Sequence, residues 1–137
     1  MKESIWLSGA DIYGIHQEII AMSGGKLGIL ETGLITSSLN KPKNVFHYAE
    51  NPDIFYLAAV YGYGFIKNHC FLDGNKRVAL IAVYTFLAIN GFELVASEAD
   101  VVSMFSGLAA SQASQATDVE TLCQWLKVNT QANALIN

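Results

Sequence analysis

Nine consecutive residues, His69-Cys70-Phe71-Leu72-Asp73-Gly74-Asn75-Lys76-Arg77, place a base, a carboxylate, a glycine and two cations directly before a long apolar run. Together they have the chemistry to hold a nucleoside triphosphate. The run that follows reads as a helix, and the unpaired N–H groups at a helix N-terminus form an anion site that the helix dipole reinforces. Gly74 lets a phosphate approach the chain closely. Lys76 supplies a point charge and Arg77 a planar fork for phosphate oxygens. Asp73 is a hard oxygen ligand suited to Mg²⁺ bridged by phosphates. His69 is the group able to take a proton near pH 7.

The same residues also admit a plainer reading, in which Asp73-Gly74 makes a turn and Asn75 caps a helix with no ligand present. That reading leaves Lys76 and Arg77 unexplained. Two cations in the first turn of a helix oppose its dipole at about 0.3–1 kcal/mol each, so an anion nearby is the natural compensation.

The motif must be positioned by a chain of 137 residues, 52% of them hydrophobic and 15% charged, which is long enough for a real core in a single domain spanning 1–137. General disorder is excluded. A formal charge of −4 argues against a nucleic-acid surface and makes the cations near position 76 a local phosphate site in an acidic protein. Cys70 and Cys123 have neither metal-ligand spacing nor the number for a disulfide framework, which suits a reducing compartment, by default the cytoplasm. No signal-peptide core follows Met1, and the uncharged runs 54–66 and 78–89 fall short of the ~20 residues of a bilayer span, so no membrane association is expected.

Punctuation along the chain predicts about six helices and an all-α bundle, with the motif loop between two central buried helices. Ser8 and Asp11 form a capping box for the first, which carries Ile12, Ile15, Ile19 and Ile20 on one face and stops at Gly24-Gly25. On it, His16 reads as a packing or surface residue. A short helix over 32–39 is expected to end before Pro42, leaving 40–50 exposed and irregular. Asn51 as N-cap and Pro52 at N1 open the third helix, to about Lys67. The fourth runs from Asn75 to Asn90 and closes at Gly91. Two more begin at Ser97 and Thr117. The β candidates are 45–48 and 92–95, each an extended loop or a small hairpin. Tyr56, Tyr61, Tyr63 and Phe65 read as core, with Gly62 and Gly64 permitting close helix contact.

The motif resembles the signature of the Fic/Doc superfamily, His-x-Phe-x-(Asp/Glu)-(Gly/Ala)-Asn-(Gly/Lys)-Arg, and the form with Lys before Arg is similar to the Doc (death-on-curing) toxin branch. The likeness extends over about residues 5–128, through Trp6-Leu7-Ser8, Gly24-Gly25, the 34–39 helix, Asn68-His69 and Asn90-Gly91. It implies an all-helical fold whose loop binds ATP and Mg²⁺ and transfers part of the nucleotide to a protein hydroxyl. By position, His69 is implied as general base, Phe71 as the core anchor of the loop, Asp73 as the residue that orients Mg²⁺, and Gly74, Asn75 and Lys76 as the anion nest. Arg77 would pair with a nucleotide phosphate. Lys67 could also reach the phosphates, although a solvated helix-end lysine is the simpler account. Residues 41–48, with Phe46, His47 and Tyr48, read either as an ordinary loop or as the family's loop that covers the site and aligns the target by β-augmentation.

Lys76 divides two chemistries, since Fic relatives with Gly there are typically AMP transferases whereas Doc-like proteins with Lys resemble the toxin that phosphorylates elongation factor Tu. The favoured reading is γ-phosphoryl transfer to a protein Ser or Thr, arresting translation. The alternatives are AMP transfer, and a catalytically silent interaction module that the intact His69, Asp73, Asn75 and Arg77 count against. None of the seven glutamates has Ser or Thr four residues before it, so the self-inhibitory motif of many Fic proteins has no match in these residues. Inhibition is then expected from a separate antitoxin, whose disordered tail folds into an apolar groove.

Overall fold

Serine and aspartate caps set most of the helix starts in the computed structural model, which describes residues 3–30, 32–49 and 52–133. Helix α1 (Gly9–Ser23) opens on the expected reciprocal box: Ser8 Oγ accepts from Asp11 N–H at 3.1 Å, and Asp11 Oδ2 accepts from Ser8 N–H at 2.8 Å. It ends at Gly24, whose φ of 74° suits the left-handed C-cap. Helix α5 (Glu98–Ala110) starts at the expected Ser97. Helix α6 (Gln115–Val128) is capped three residues before the expected Thr117, because Ser114 accepts from the Thr117 N–H and makes Thr117 part of the first turn.

Helix α2 (Thr32–Tyr48) corrects the reading of 40–50 as irregular: it continues through Pro42 as far as Tyr48. An internal proline costs a helix about 3 kcal/mol, which burial here offsets. Pro42 is buried, Val45 and Phe46 pack on the core, and the Phe46 ring meets Trp6 edge-on at 5.6 Å. Residues 45–48 are therefore helix, and not a strand.

Helix α3 (Ile54–Lys67) is capped by Asp53, which accepts from Tyr56 N–H at 2.7 Å. Pro52 thus precedes the cap and is not the first helical residue; Asn51 lies outside the described residues. Helix α4 (Asn75–Ile89) ends at Asn90, with Gly91 following at φ 96°. These two helices form the centre of an all-α fold of six helices among the described residues. A small sheet closes one end: β1 (Phe92–Leu94) pairs antiparallel with β2 (Thr130–Ala132), so the extended 92–95 segment joins distant chain instead of forming a local hairpin.

Aromatic packing fastens the N-terminal segment to this centre. Trp6 stacks on Phe86, and Phe86 lies 4.8 Å from the fully buried Tyr61. The Tyr61 hydroxyl accepts from the Leu7 N–H, and burial pushes its pKa up to about 12. Asn90 adds a second clasp, accepting from Ile5 N–H and donating to Ile5 C=O.

The two glycines of α3 have different reasons to be small. A Cβ on Gly62 would sit 2.9 Å from both Leu122 Cδ2 and Val83 Cγ2, which are held in the core, whereas one on Gly64 would meet Ser38 at an ordinary 3.5 Å. Gly62→Ala should therefore lose about 1–2 kcal/mol by overpacking, net of its helix-propensity gain. Gly64→Ala should gain about 0.5–1 kcal/mol. Urea unfolding of both variants checks the opposite signs; a shared sign would contradict the packing argument.

Candidate active site

The motif loop leaves the C-terminal end of α3 and turns at once into α4. Asn68 caps α3, and its Nδ2 donates to Ser38 Oγ on α2 at 2.7 Å, tying the start of the loop to a second helix. Lys67 is used differently from the phosphate role considered for it. Its Nζ donates to Ser111 C=O at 3.0 Å and Ala109 C=O at 3.5 Å, satisfying carbonyls at the end of α5.

His69 follows in the left-handed region at φ 47°, the one non-glycine residue there among the described residues, and its side chain is exposed. Histidine tolerates this conformation better than most residues. The backbone reversal throws the imidazole outward while Cys70 and Phe71 turn into the core, both almost fully buried. Burial pushes the Cys70 thiol up, opposed by its contact with Ser38; burial and nearby Asp53 push Cys123 to about 11.

Asn75 braces the loop against its own helix. Its Oδ1 accepts from Phe71 N–H at 3.1 Å and its Nδ2 donates to Phe71 C=O at 2.9 Å, so one carboxamide satisfies both backbone groups of the anchor residue. Gly74 is the N-cap of α4 at φ 83° and brings no side-chain cap. The N–H groups of the first turn, at Asn75, Lys76 and Arg77, are consequently left for an external anion. Lys76 and Arg77 are exposed in the same turn and make no ion pair among the described residues. Arg77 is also the chain's single arginine.

Asp73 presents its carboxylate at the rim, with Oδ1 accepting from Gly74 N–H at 2.8 Å. Oδ2 lies close to Gly25, where a Cβ would come within 2.7 Å of it. This carboxylate and the nest of α4 are a donor set fitted to Mg²⁺ with a polyphosphate: hard anionic oxygen on one side, N–H groups and cations on the other.

Three contributors escape a reading by sequence. His16 is buried at 3% exposure, places Nε2 2.9 Å from Asp73 C=O, and stacks on Phe71 with ring centroids 3.9 Å apart. Its signal is a lone histidine in the stripe Ile12, His16, Ile20, at i, i+4 spacing. Gly25 makes room for Asp73. Residues 28–30 lie extended against the loop, with Leu30 N–H donating to Cys70 C=O, Leu72 N–H to Gly28 C=O, and a bridge between Ile29 and Phe71.

The extended segment beside the motif loop is 28–30, whereas 41–48 is helical. Phe46 packs inward, and His47 and Tyr48 sit exposed in the last turn of α2, unable to add a strand while helical. They also lie at the wrong end: α2 runs into the start of α3, and 14 residues of helix, roughly 20 Å, separate that start from the motif. A cavity of about 640 Å³ opens at the same far end, between Lys41, Tyr48, Tyr56, Glu120 and Lys127. The motif is the better candidate because it gathers the chemistry.

The Fic/DOC family matches residues 6–87, more than half of the chain, and the protein belongs to that family. It is 36% identical over 74 residues to the toxin Doc of Mycolicibacterium smegmatis, covering 53% of this chain and 57% of that protein. It is also 27% identical over 116 residues to the protein kinase doc of Escherichia phage P1, covering 85% of this chain and 91% of that one. The match to the Mycolicibacterium protein thus spans little more than half of that relative's length. No helix among the described residues is long and apolar enough to cross a membrane.

The Asn75 brace can be tested by Asn75→Asp, which keeps an acceptor for Phe71 N–H but sets a carboxylate against Phe71 C=O. The loss should be about 1–3 kcal/mol in urea unfolding, and an unchanged midpoint would refute the brace. The raised thiol pKa values predict that Cys70 and Cys123 resist a thiol-reactive disulfide at pH 8 until the protein unfolds. Rapid native-state labelling of either would contradict their burial.

Proposed function

We propose that the protein is a Doc-type toxin that transfers the γ-phosphoryl group of ATP to a Ser or Thr hydroxyl of a target protein. The single observation that carries the reading is the N-terminus of α4, which has no side-chain cap and bears Lys76 and Arg77 in its first turn, with Asp73 and His69 exposed in the loop that leads into it. The family membership and the two relatives named as toxin and kinase support it.

In this reading the backbone N–H groups of Asn75, Lys76 and Arg77 bind phosphate oxygens, Gly74 lets the phosphate come close to the chain, and the Arg77 side chain forms a charge-assisted pair with a phosphate. Mg²⁺, held by Asp73, would neutralise phosphate charge. His69 takes the proton from the target hydroxyl as its oxygen forms a bond to the γ-phosphorus. The bond from that phosphorus to the β–γ bridging oxygen breaks, and ADP leaves with the electron pair. In-line positioning and charge neutralisation carry most of such a reaction, with base assistance adding about 10²–10⁴-fold.

Residues 28–30 border the loop, and Leu27, Ile29, Leu30 and Leu72 are exposed apolar groups around it. A target segment docks there in extended form, with its hydroxyl presented to His69. Elongation factor Tu is the target that the resemblance to Doc suggests, with arrest of translation as the result. A separate antitoxin protein restrains the enzyme.

The test uses ATP labelled at either the α or the γ phosphate, with purified elongation factor Tu and with lysate, and His69→Asn as control. Asparagine accepts the left-handed backbone, so loss of activity will not reflect strain. Label from γ, reduced at least about 10²-fold in the variant, is expected. Label from α would make the protein an AMP transferase, and no His69-dependent label would leave an interaction module.

A further inference from the structure

The single buried histidine of α1 touches the motif at successive points. Its ring covers the Phe71 ring at an interplanar angle of 13°, its Nε2 meets Asp73 C=O at 2.9 Å, and its Cδ2 lies 3.8 Å from where a Cβ on Gly74 would be. A carbonyl can only accept, so Nε2 carries the hydrogen and donates it. The face of α1 that bears the ring is otherwise apolar, made of Ile12 and Ile20. Packing alone would be served there by another hydrocarbon side chain, and the buried donor is directed at one atom of the loop.

That atom belongs to the peptide unit that joins Asp73 to Gly74. The unit is planar, so fixing its C=O also fixes the Gly74 N–H on its opposite side. This N–H donates to Asp73 Oδ1 at 2.8 Å. A continuous chain of constraint therefore runs from His16 Nε2–H through one peptide plane to the Asp73 carboxylate. The same plane sets the left-handed Gly74 that begins α4.

We infer that His16 is a positioning residue of the active site, setting both the Asp73 carboxylate and the α4 N-terminus through its Nε2–H. What the loop is positioned to do rests on the phosphoryl-transfer reading; the positioning itself does not. Groups that orient other site residues typically change affinity or activity about 10- to 100-fold when removed.

Two amide substitutions separate positioning from packing. In His16→Gln the amide nitrogen stands near the place of imidazole Nε2, whereas in His16→Asn it stands near that of Nδ1. The full-length wild type and both variants are compared in Mg²⁺-ATP titration, in γ-phosphate transfer to elongation factor Tu, and by nitrogen NMR of the ring and loop amides. The expected result is an Nε2–H tautomer in the wild type. His16→Asn should show displaced Phe71, Gly74 and Asn75 amide signals and a transfer rate about 10- to 100-fold lower, and His16→Gln should recover most of both.

An Nδ1–H tautomer would overturn the inference, as would an Asn variant with wild-type loop signals, or Gln and Asn variants impaired alike. The tautomer is read on the wild type, so it decides even if a variant fails to fold. Absence of transfer by the wild type would defeat the functional reading while the ring and amide signals still judge His16.

Discussion

The Asn75 carboxamide reaches back four residues and occupies both the N–H and the C=O of Phe71, which closes the motif loop into a ring in front of α4. Phe71 can be buried with its backbone satisfied only because of that ring, and a buried polar backbone without partners would be costly. With Phe71 fixed, Cys70 faces inward and His69 outward, and Leu72 and Asp73 must pass over the rim before Gly74 starts the helix. The site is thus a by-product of one local closure that the core then locks. His16 and the 28–30 segment press on the closed ring from outside, each touching backbone atoms that Asn75 leaves free.

Electrostatics completes the arrangement. A helix that begins with two cations and a glycine cap has no acidic residue in its first turn to offset its dipole. The rest of the chain is acidic, and its single arginine lies in this turn. A bound polyanion would satisfy the N–H groups and the cations together, so the feature least favourable to the isolated helix is the one best suited to an anion. Lys67, one residue before Asn68, shows the contrast: its ammonium is committed to carbonyls at the end of α5 and serves the fold.

Signals carried within a few residues were legible from the sequence. The Ser8–Asp11 box, the Ser97 cap, the Gly24 and Gly91 stops and the motif itself are local chemistry, and each stands where the residues indicated. What the sequence hid depends on contacts between distant residues. Pro42 stays helical because Val45 and Phe46 find burial beyond it, a tertiary gain that no local rule contains. The strand pairing of 92–94 with 130–132 bridges almost forty residues, and neither partner has the length to announce itself. Ser114 displaced Thr117 as a cap because both have the right chemistry and only the path of the chain chooses. The site divided in the same way: the motif was readable, whereas His16, Gly25 and 28–30 reach it through the fold.

The pairing of residues 28–30 with the loop has a dynamic consequence. It consists of two backbone hydrogen bonds around a single bridge, a net of about 0.5–1.5 kcal/mol each. Openings of that size occur repeatedly within the lifetime of a folded protein, whereas the α3 and α4 core separates only in global unfolding. Amide exchange at Leu30 and Leu72 would then run far ahead of exchange in the central helices. The wall of the site would thus be far cheaper to open than its floor.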